Sequence, residues 1–278
     1  RSRGLGDVYK RQLFILSAFV VLASCNERHE KKNREKSGWV EKVINTESGP
    51  IQQKEFNGDF DEIQVSQAID AEIIKSETEK VVISAPQNII NEILVDNNGG
   101  KLHIHYKSGI RVMNVHKVTA KIYTKDFTKL IAESAASISV KDKFTQEKTT
   151  VEVSSAGSIS GDMEANDFNI NADSSSNFSG KVWAVNLGIE SSSGSSIDIS
   201  GKAKHADINS SSGSSISARD VIADNVEAEA SSGASIQISA VSSVRAEASS
   251  GGSVDVSKKG ELKNITKDES SGGSVNIQ

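Results

Sequence analysis

A repeat of about twenty residues fills the carboxyl-terminal half of the chain and constrains its fold more than any other feature. Eight clusters of serine, glycine and alanine recur from residue 133 onward, as in ESSSGSSIDIS, NSSSGSSISA and EASSGGSVDVS. The apolar residue that follows each cluster recurs every 18 to 21 residues, at Ile138, Ile159, Phe178, Ile197, Ile216, Ile236, Val254 and Val275. A period of this length is typical of a solenoid, in which each repeat forms one turn.

Side chains within each repeat alternate with a period of two, which indicates β-strands. Ile197 and Ile199 share one face of a strand, while Asp198 points to the other face. A second alternating run precedes each cluster, as in VEAEA at residues 226–230. We therefore expect two short strands per repeat, separated by a Ser/Gly corner and by a polar turn such as GKAK at residues 201–204.

A twenty-residue unit of two strands cannot bury its apolar face alone and must stack on its neighbours. The sequence therefore predicts an all-β protein in which residues 133–278 form a parallel β-solenoid, right-handed by default, with about 4.8 Å between turns. Small residues suit a corner where successive turns approach closely, and stacked hydroxyls can exchange hydrogen bonds there. A disordered Ser/Gly linker is the alternative, but it has no need of the alternating Ile and Val residues.

Residues 56–132 continue the β pattern with larger apolar side chains. Candidate strands span residues 62–65, 70–75, 80–85, 101–107 and 118–123. A turn is expected at residues 96–100 (DNNGG), since this composition is typical of a hairpin connection. No linker separates this segment from the repeats, so we expect it to form a cap or the first turns of one continuous fold.

The amino terminus has the pattern of an export signal. Residues 13–22 are apolar and follow Lys10 and Arg11. Ten helical residues span about 15 Å, half of the roughly 30 Å hydrocarbon core, so this run is too short for a stable transmembrane helix. We predict a signal peptide at residues 1–24. Residues 1–12 lack an initiating methionine and look like translated upstream sequence.

The apolar run ends in LASC at residues 22–25, which resembles the lipobox of bacterial lipoproteins. This resemblance implies that Cys25 is acylated and becomes the first residue of the mature chain, anchored in a membrane. A buried free cysteine is the alternative. Residues 25–55 are mostly polar, and we expect them to tether the folded part to the membrane. A basic patch on anionic lipid is less favoured there, because glutamates interrupt the lysines.

Composition excludes several classes of protein. The chain has 32 Lys and Arg against 37 Asp and Glu, a formal net charge of −5, and one cysteine among 278 residues. A nucleic-acid partner would require a basic stripe, which is missing from the sequence. A single cysteine excludes a disulfide framework and a multi-cysteine zinc site.

The order of these segments resembles a known family. FDEIQVSQAIDAEIIKSETEKVVISAP is followed by KLHIHY, by KVTAKIYTKDFTKLIAESAASISV and then by the Ser/Gly repeats. From Phe56 to the carboxyl end, this order is similar to the autotransporter-adhesin head domain (the GIN domain, DUF2807), common in Bacteroidota lipoproteins. The resemblance implies an exported β-helical domain with an adhesin-like role. It brings no catalytic or binding residues to carry over.

Four groups of residues are candidates for a catalytic, metal or binding site. Serines are abundant, but the sequence has no GxSxG elbow for a nucleophile. The carboxylate pairs Glu227/Glu229 and Asp198/Asp207 suit a solvated surface better than a glycosidase. His103 and His105 share a strand face with His116 nearby in sequence, and exposed histidines are favoured over a metal site. Trp183 and Phe178 could form an exposed aromatic spot, but packing in the core or cap is favoured.

These observations favour a non-enzymatic, lipid-anchored protein of the cell envelope, with the outer membrane as the expected location. We expect the rigid β-solenoid to act by contact with another envelope protein, a cell surface or a glycan, with no metal or cofactor. A periplasm-facing scaffold or envelope-stress component is the second possibility. A polysaccharide-active β-helix enzyme is the third.

Overall fold

The computed structural model describes residues 42–44, 48–112 and 118–278. These residues belong to one compact unit, Val40–Gln278. The predicted signal peptide, Cys25, the first part of the tether and His116 lie outside the described residues. Apart from one 3₁₀-helix, η1 (Ile90–Glu92), every element in the described ranges is a strand.

The strands at the amino end are β1 (Lys42–Ile44), β2 (Ile51–Asn57), β3 (Glu62–Ser66), β4 (Asp70–Lys75), β5 (Lys80–Pro86), β6 (Ile93–Asn98), β7 (Lys101–Tyr106), β8 (Ile110–Val112) and β9 (Thr119–Thr124). The strands of the repeats are β10 (Lys129–Glu133), β11 (Ser137–Val140), β12 (Phe144–Val153), β13 (Ser158–Ser160), β14 (Met163–Ala172), β15 (Asn177–Ser191), β16 (Ser196–Ser210), β17 (Ser215–Ala230), β18 (Ser235–Ala248), β19 (Ser253–Lys258), β20 (Asn264–Glu269) and β21 (Ser274–Ile277).

The repeats stack as parallel levels in register, which confirms the predicted β-solenoid. Ile138 pairs with Ile159, and the same column continues through every predicted anchor residue to Val275. All eight anchors are buried. Fully buried phenylalanines widen the core at the early levels (Phe127, Phe144, Phe168 and Phe178). Later levels replace them with Leu, Val and Ala, so the core becomes slimmer.

Each complete level has three strand runs instead of the two that the sequence predicted. In β16, the first run covers residues 196–199, the second 201–203 and the third 205–210, all paired with the level below. The expected polar turn at residues 201–204 is therefore wrong. Ala203 points inward and is buried, while Lys204 is left out of the register at the bend. The second run of β16 has only one inward side chain, that of Ala203, so its alternation is too short to identify a strand from sequence.

The Ser/Gly clusters form tight turns with two left-handed residues each. Ser193 and Gly194 have φ values of 52° and 72°, and the equivalent pairs on other levels are also positive. The Ser195 N–H closes this turn by donating to the Ser192 carbonyl at 3.1 Å. Two consecutive positive φ values are typical of a type I′ turn, which glycine adopts at no steric cost. The corners therefore favour Ser and Gly because of the backbone conformation as well as because successive levels approach closely.

Successive levels approach each other closely at the residue that follows each left-handed pair. The Ser195 hydroxyl donates to the Ala172 carbonyl at 2.9 Å and lies 2.8 Å from the Ser191 hydroxyl. Ser176 and Ser214 make equivalent bonds to the level below. Where glycine takes this place, as at Gly252, an added Cβ would collide with the Ala230 carbonyl oxygen. The hydrogen bonds satisfy polar groups that the stacking buries.

The amino-terminal segment supplies two levels of the stack and also its edge. Strands β3 and β4 lie on β10 and β11, and β7 and β9 lie on β3 and β4, all in parallel pairs. Strands β5 and β6 then pair antiparallel with β9 and β7. After the edge strand β2, the chain therefore forms the inner level at β3 and β4, returns outward through β5 to β9 and then continues into the repeats at β10. The predicted turn at residues 96–100 joins β6 to β7.

The folded part begins earlier than the boundary predicted at residue 56. Strand β2 occupies Ile51–Asn57, inside the stretch assigned to the tether, and pairs antiparallel with β5. Most of its side chains are exposed or half-buried. Polar side chains are common on such an edge strand, because they discourage pairing with other molecules. Its sequence consequently looks like a tether.

Replacement of Ile197 by Asp tests whether this column is interior. Ile197 is fully buried between Phe178 and Ile216. An unpaired carboxylate there should lower the free energy of unfolding by roughly 3 kcal/mol or more. Ser215→Asp, at an exposed position on the next level, is the matched control and should change stability by less than about 0.5 kcal/mol. Equal melting temperatures for the two variants in thermal unfolding would contradict the assigned register.

Candidate functional site

The outward side chains of the third runs form one continuous polar surface, which we call the ladder face. It comprises residues 129–133, 148–153, 167–172, 186–191, 205–210, 225–230, 243–248 and 264–269. Because the levels are parallel and in register, equivalent outward residues line up in columns. Successive residues of one column are about 4.8 Å apart. Two shallow grooves follow these columns along the stack.

The first groove, the acidic groove, lies beside the tight turns. Its volume is about 680 Å³, and its lining includes seven carboxylates but no Lys, Arg or His. One column carries most of the charge and runs through Glu152, Asn171, Glu190, Asn209, Glu229, Glu247 and Asp268. Such a groove attracts cationic groups along its length.

Serine hydroxyls of the turns hold one carboxylate of the acidic groove in its charged form. Ser192 donates to Asp173 Oδ1 at 2.7 Å, and Ser174 donates to Oδ2 at 3.0 Å. Hydrogen bonds from Ser192, Ser193 and Ser174 lower the pKa of Asp173 to about 2. Hydrogen bonds to a carboxylate favour its ionised form. This end of the groove therefore stays negative at any pH of an ordinary cell surface.

Two cations flank the acidic groove without entering it. Lys129 Nζ lies 2.8 Å from Glu152, and Arg245 Nη2 lies 2.7 Å from Glu247. The hydrogen bond to Glu247 raises the pKa of Arg245, and the charges of Glu247 and Glu227 add to that effect. These exposed pairs contribute little to stability. Among the described residues, Glu190, Glu229 and Asp268 are then the carboxylates of this column without an ion pair.

The second groove, the amide groove, runs parallel to the first on the ladder face. It has a volume of about 730 Å³, and one of its columns carries asparagine at alternate levels, at Asn186, Asn225 and Asn264. Asn186 donates to Asp167 at 2.7 Å, and Ser243 donates to Asn225 at 2.6 Å. Amides, hydroxyls and carboxylates in this arrangement can both donate to and accept from a polar partner.

The predicted carboxylate pairs do not form an enclosed acid–base site. Glu227 lines the amide groove and Glu229 the acidic groove, and both are exposed. Asp198 lies on a first run and Asp207 on a third run, so they occupy different surfaces of the stack. A glycosidase acid usually requires burial to keep its proton. The solvated-surface interpretation fits this geometry.

The two strand histidines do share a face, as predicted, but they are partly buried. The rings of His103 and His105 stack with centroids 4.2 Å apart. His103 Nε2 lies 2.8 Å from the Ser66 hydroxyl, which donates to Glu133 at 2.9 Å. Burial, followed by the charge of His105, lowers the pKa of His103.

This cluster does not have the geometry of a nucleophile or a metal centre. Ser66 is buried and its hydroxyl proton points to Glu133, whereas a nucleophilic serine gives its proton to a histidine. Within the described ranges, no three His, Cys, Asp or Glu side chains converge on a possible metal position. His103 instead links β7 to β3 through Ser66, and His105 links β7 to β6 through Asp96.

Trp183 corrects an expectation from the sequence. Phe178 is fully buried, as expected, but Trp183 is 53% exposed. It lies on the second run of β15, where Val182 points inward and the next residue must point outward. The expectation of core or cap packing is wrong, because the strand that carries Trp183 gives it an outward position.

Sequence reasoning also missed the two grooves, although one signal for the acidic groove was present. Several repeats open on Glu or Asn directly before the small residues, as in ESSSG, NSSSG and EASSG. These opening residues form the acidic column. A comparison of equivalent positions across the repeats would have predicted it.

Several solved structures share this fold. A "Putative lipid binding protein" from Parabacteroides distasonis ATCC 8503 matches with a TM-score of 0.75 and 20% identity, over 85% of this chain and 100% of that chain. A "putative adhesin" from the same strain matches with a TM-score of 0.74 and 18% identity over the same shares. A "putative adhesin" from Parabacteroides merdae ATCC 43184 gives 0.71 and 18%, over 82% of this chain and 98% of that chain.

A search of the curated proteins found no match. The family model described as "Putative auto-transporter adhesin, head GIN domain" matches residues 59–260, which include both amino-terminal levels and most of the repeats. The expected family resemblance is thereby confirmed. The chain belongs to the DUF2807 family of adhesin-like GIN head domains.

Proposed function

We propose that this chain is a non-enzymatic, lipid-anchored protein of the cell envelope that presents the ladder face for contact with another surface. The observation that carries the proposal is the ladder face itself, a polar array that continues from level to level between residues 148 and 269. Family membership and the adhesin names of the similar structures favour a surface or envelope protein.

A rigid array suits adhesion because many weak contacts act together. Each level repeats the same outward positions, so a repetitive partner can bind at several levels at once and gain avidity. Backbone pairing fixes the spacing, and little conformational entropy is lost on binding. The partner on this proposal is another envelope protein, a cell surface or a glycan.

The geometry of the grooves argues for contact over catalysis. Both grooves are open and shallow, and their carboxylates are solvated. Catalysis generally depends on groups preorganised in a site that excludes water. The described part of the molecule brings together no such group.

Membrane attachment on this proposal depends on acylated Cys25. Among the described residues, no helix is long and apolar enough to cross a bilayer. A lipid anchor with the polar segment behind it would hold the solenoid away from the membrane surface. The outer membrane is the proposed location.

Replacement of Cys25 by Ala tests the anchor. Without its thiol the chain cannot be acylated, so incorporation of a labelled fatty acid should fall to background, and the protein should leave the membrane fraction. A Ser24→Ala variant keeps the thiol and a small preceding residue, and it should label like the unchanged chain. Equal labelling of the Cys25→Ala variant would refute lipoprotein processing.

Adhesion through the ladder face can be tested on whole cells. Replacement of Glu190 and Glu229 by Lys reverses the charge at the centre of the acidic groove, and we expect binding of cells to a host or neighbour-cell surface to fall severalfold. A variant with Ser215→Lys and Ser235→Lys places the same charges on the first runs and should bind normally. External protease should digest the chain on intact cells.

Two results would contradict the proposal. Equal adhesion of the two charge variants would exclude the ladder face as the contact surface. Complete protection from protease on intact cells would place the chain inside the envelope, which is the result expected of a periplasmic scaffold.

A further inference from the structure

An exposed tryptophan lies on the second run of β15, away from the ladder face. Trp183 is 53% exposed and Val185, the next outward residue, is 41% exposed. The level below presents Glu164 opposite Trp183, and the level above presents Lys202. We call these four residues, together with Lys181 on the same strand, the Trp183 platform. Tryptophan is enriched at interfaces, because its large ring combines an apolar face with a polar N–H.

The platform carries excess positive charge. Glu164 is already paired, because Lys143 Nζ lies 2.6 Å from its carboxylate. This hydrogen bond holds the pKa of Glu164 below its usual value. Within the described chain, neither Lys181 nor Lys202 has an ion-pair partner. Two free ammonium groups therefore flank the indole, one on its own strand and one on the next level.

A small hollow lies beside the indole. Its volume is about 140 Å³, and Lys143, Asp162, Glu164 and Lys181 surround it, with buried Met163 at its base. The Asp162 carboxylate, which accepts the Lys181 N–H at 3.1 Å, is at its edge. Pockets that enclose a drug-sized ligand measure about 300–1,000 Å³, so this hollow has room for a small ring only.

We propose that the Trp183 platform binds one residue of an acidic saccharide. The C–H face of the sugar ring packs on the indole, and its carboxylate lies between the ammonium groups of Lys181 and Lys202. Ring hydroxyls donate to the carboxylates of Asp162 and Glu164. Each part of the platform thereby meets a complementary part of the sugar, apolar on the ring face and charged at the acid group.

The same residues fit a membrane surface less well. A membrane-binding surface requires a broad apolar area, whereas here the charged Lys202 on the next level directly adjoins Trp183. The carboxylates of Asp162 and Glu164 border the indole on its other side, so the apolar area around Trp183 is small. A discrete saccharide residue can use these carboxylates as hydrogen-bond acceptors.

This inference deepens the proposed contact function and rests on it, since it names a ligand class for a surface-contact protein. It places that ligand on the second runs, separate from the ladder face. A saccharide at this place would add to avidity, because the repeats hold both surfaces in one fixed frame.

Indole fluorescence provides the test. The full chain in detergent carries Trp39→Phe, so that Trp183 is its only tryptophan. The probes are 3′-sialyllactose and a galacturonic-acid oligomer, with lactose and a galactose oligomer as their neutral counterparts. At least one acidic probe should change the emission in a saturable way and bind about tenfold more tightly than its neutral counterpart. Binding should weaken at high salt.

Variants of the platform separate the ring contact from the charge contact. Binding is measured by calorimetry, and Trp183→Ala should weaken it about tenfold. The double variant Lys181→Gln, Lys202→Gln should bind the acidic probe no more tightly than its neutral counterpart. Lys121→Gln, at an exposed position of β9, is the control and should bind normally. All of these side chains are exposed, so the melting temperatures should stay the same.

Three results would overturn the inference. The acidic probes could fail to bind, they could bind the Trp183→Ala variant as tightly as the unchanged chain, or Trp183 could be required instead for binding to phosphatidylserine vesicles. None of these results affects the proposed contact function, which the charge variants of the ladder face test on whole cells. Loss of adhesion in those variants with normal saccharide binding would show the two surfaces to be independent.

Discussion

In-register parallel pairing between successive levels is the constraint on which the rest of this structure depends. Each backbone hydrogen-bonds to the level above and the level below, so every residue lies on its equivalent one repeat away. Ile197 lies between Phe178 and Ile216, and Asn209 lies between Glu190 and Glu229. One residue type is therefore repeated along each column, aliphatic inside, small at the turn and polar outside. The repeat in the sequence is a direct record of this pairing.

Features with a long period-two alternation could be predicted from the sequence, whereas features marked by one or two residues per level, or by the order of the strands, could not. The anchor column and the strand bounds near residues 70–75 follow from period-two alternation. The Ser/Gly clusters predict the positions of the corners, but only the structure shows that two residues of each corner are left-handed. The second run was missed because at most two of its residues point inward, such as Val221 and Ala223, and in β16 one of these places is a glycine. The order of β3, β7 and β10 was also missed, since nothing local records which strand a returning chain will join.

The candidate surfaces follow from the same constraint. A polar column requires only one recurring type of outward position in the repeat, because stacking places the equivalent side chains in a line along the whole stack. The acidic groove arises in this way from the Glu, Asn or Asp at equivalent positions of successive repeats. The Trp183 platform is different in kind, because an indole occurs at one level only. A repeated surface suits avidity, whereas a single aromatic position suits recognition of one chemical group.

Distances between spin labels at equivalent outward positions would test the stacked register most directly. Labels are attached at cysteines introduced at Ser158 and at Ser235, Ser253 or Ser274 in turn, with Cys25 replaced by Ser. These positions belong to one column, four, five and six levels from Ser158. The separations should increase by about 4.8 Å per level, to roughly 19, 24 and 29 Å, with narrow distributions. Broad distributions, or distances that do not increase with level, would contradict the stack and the surfaces built on it.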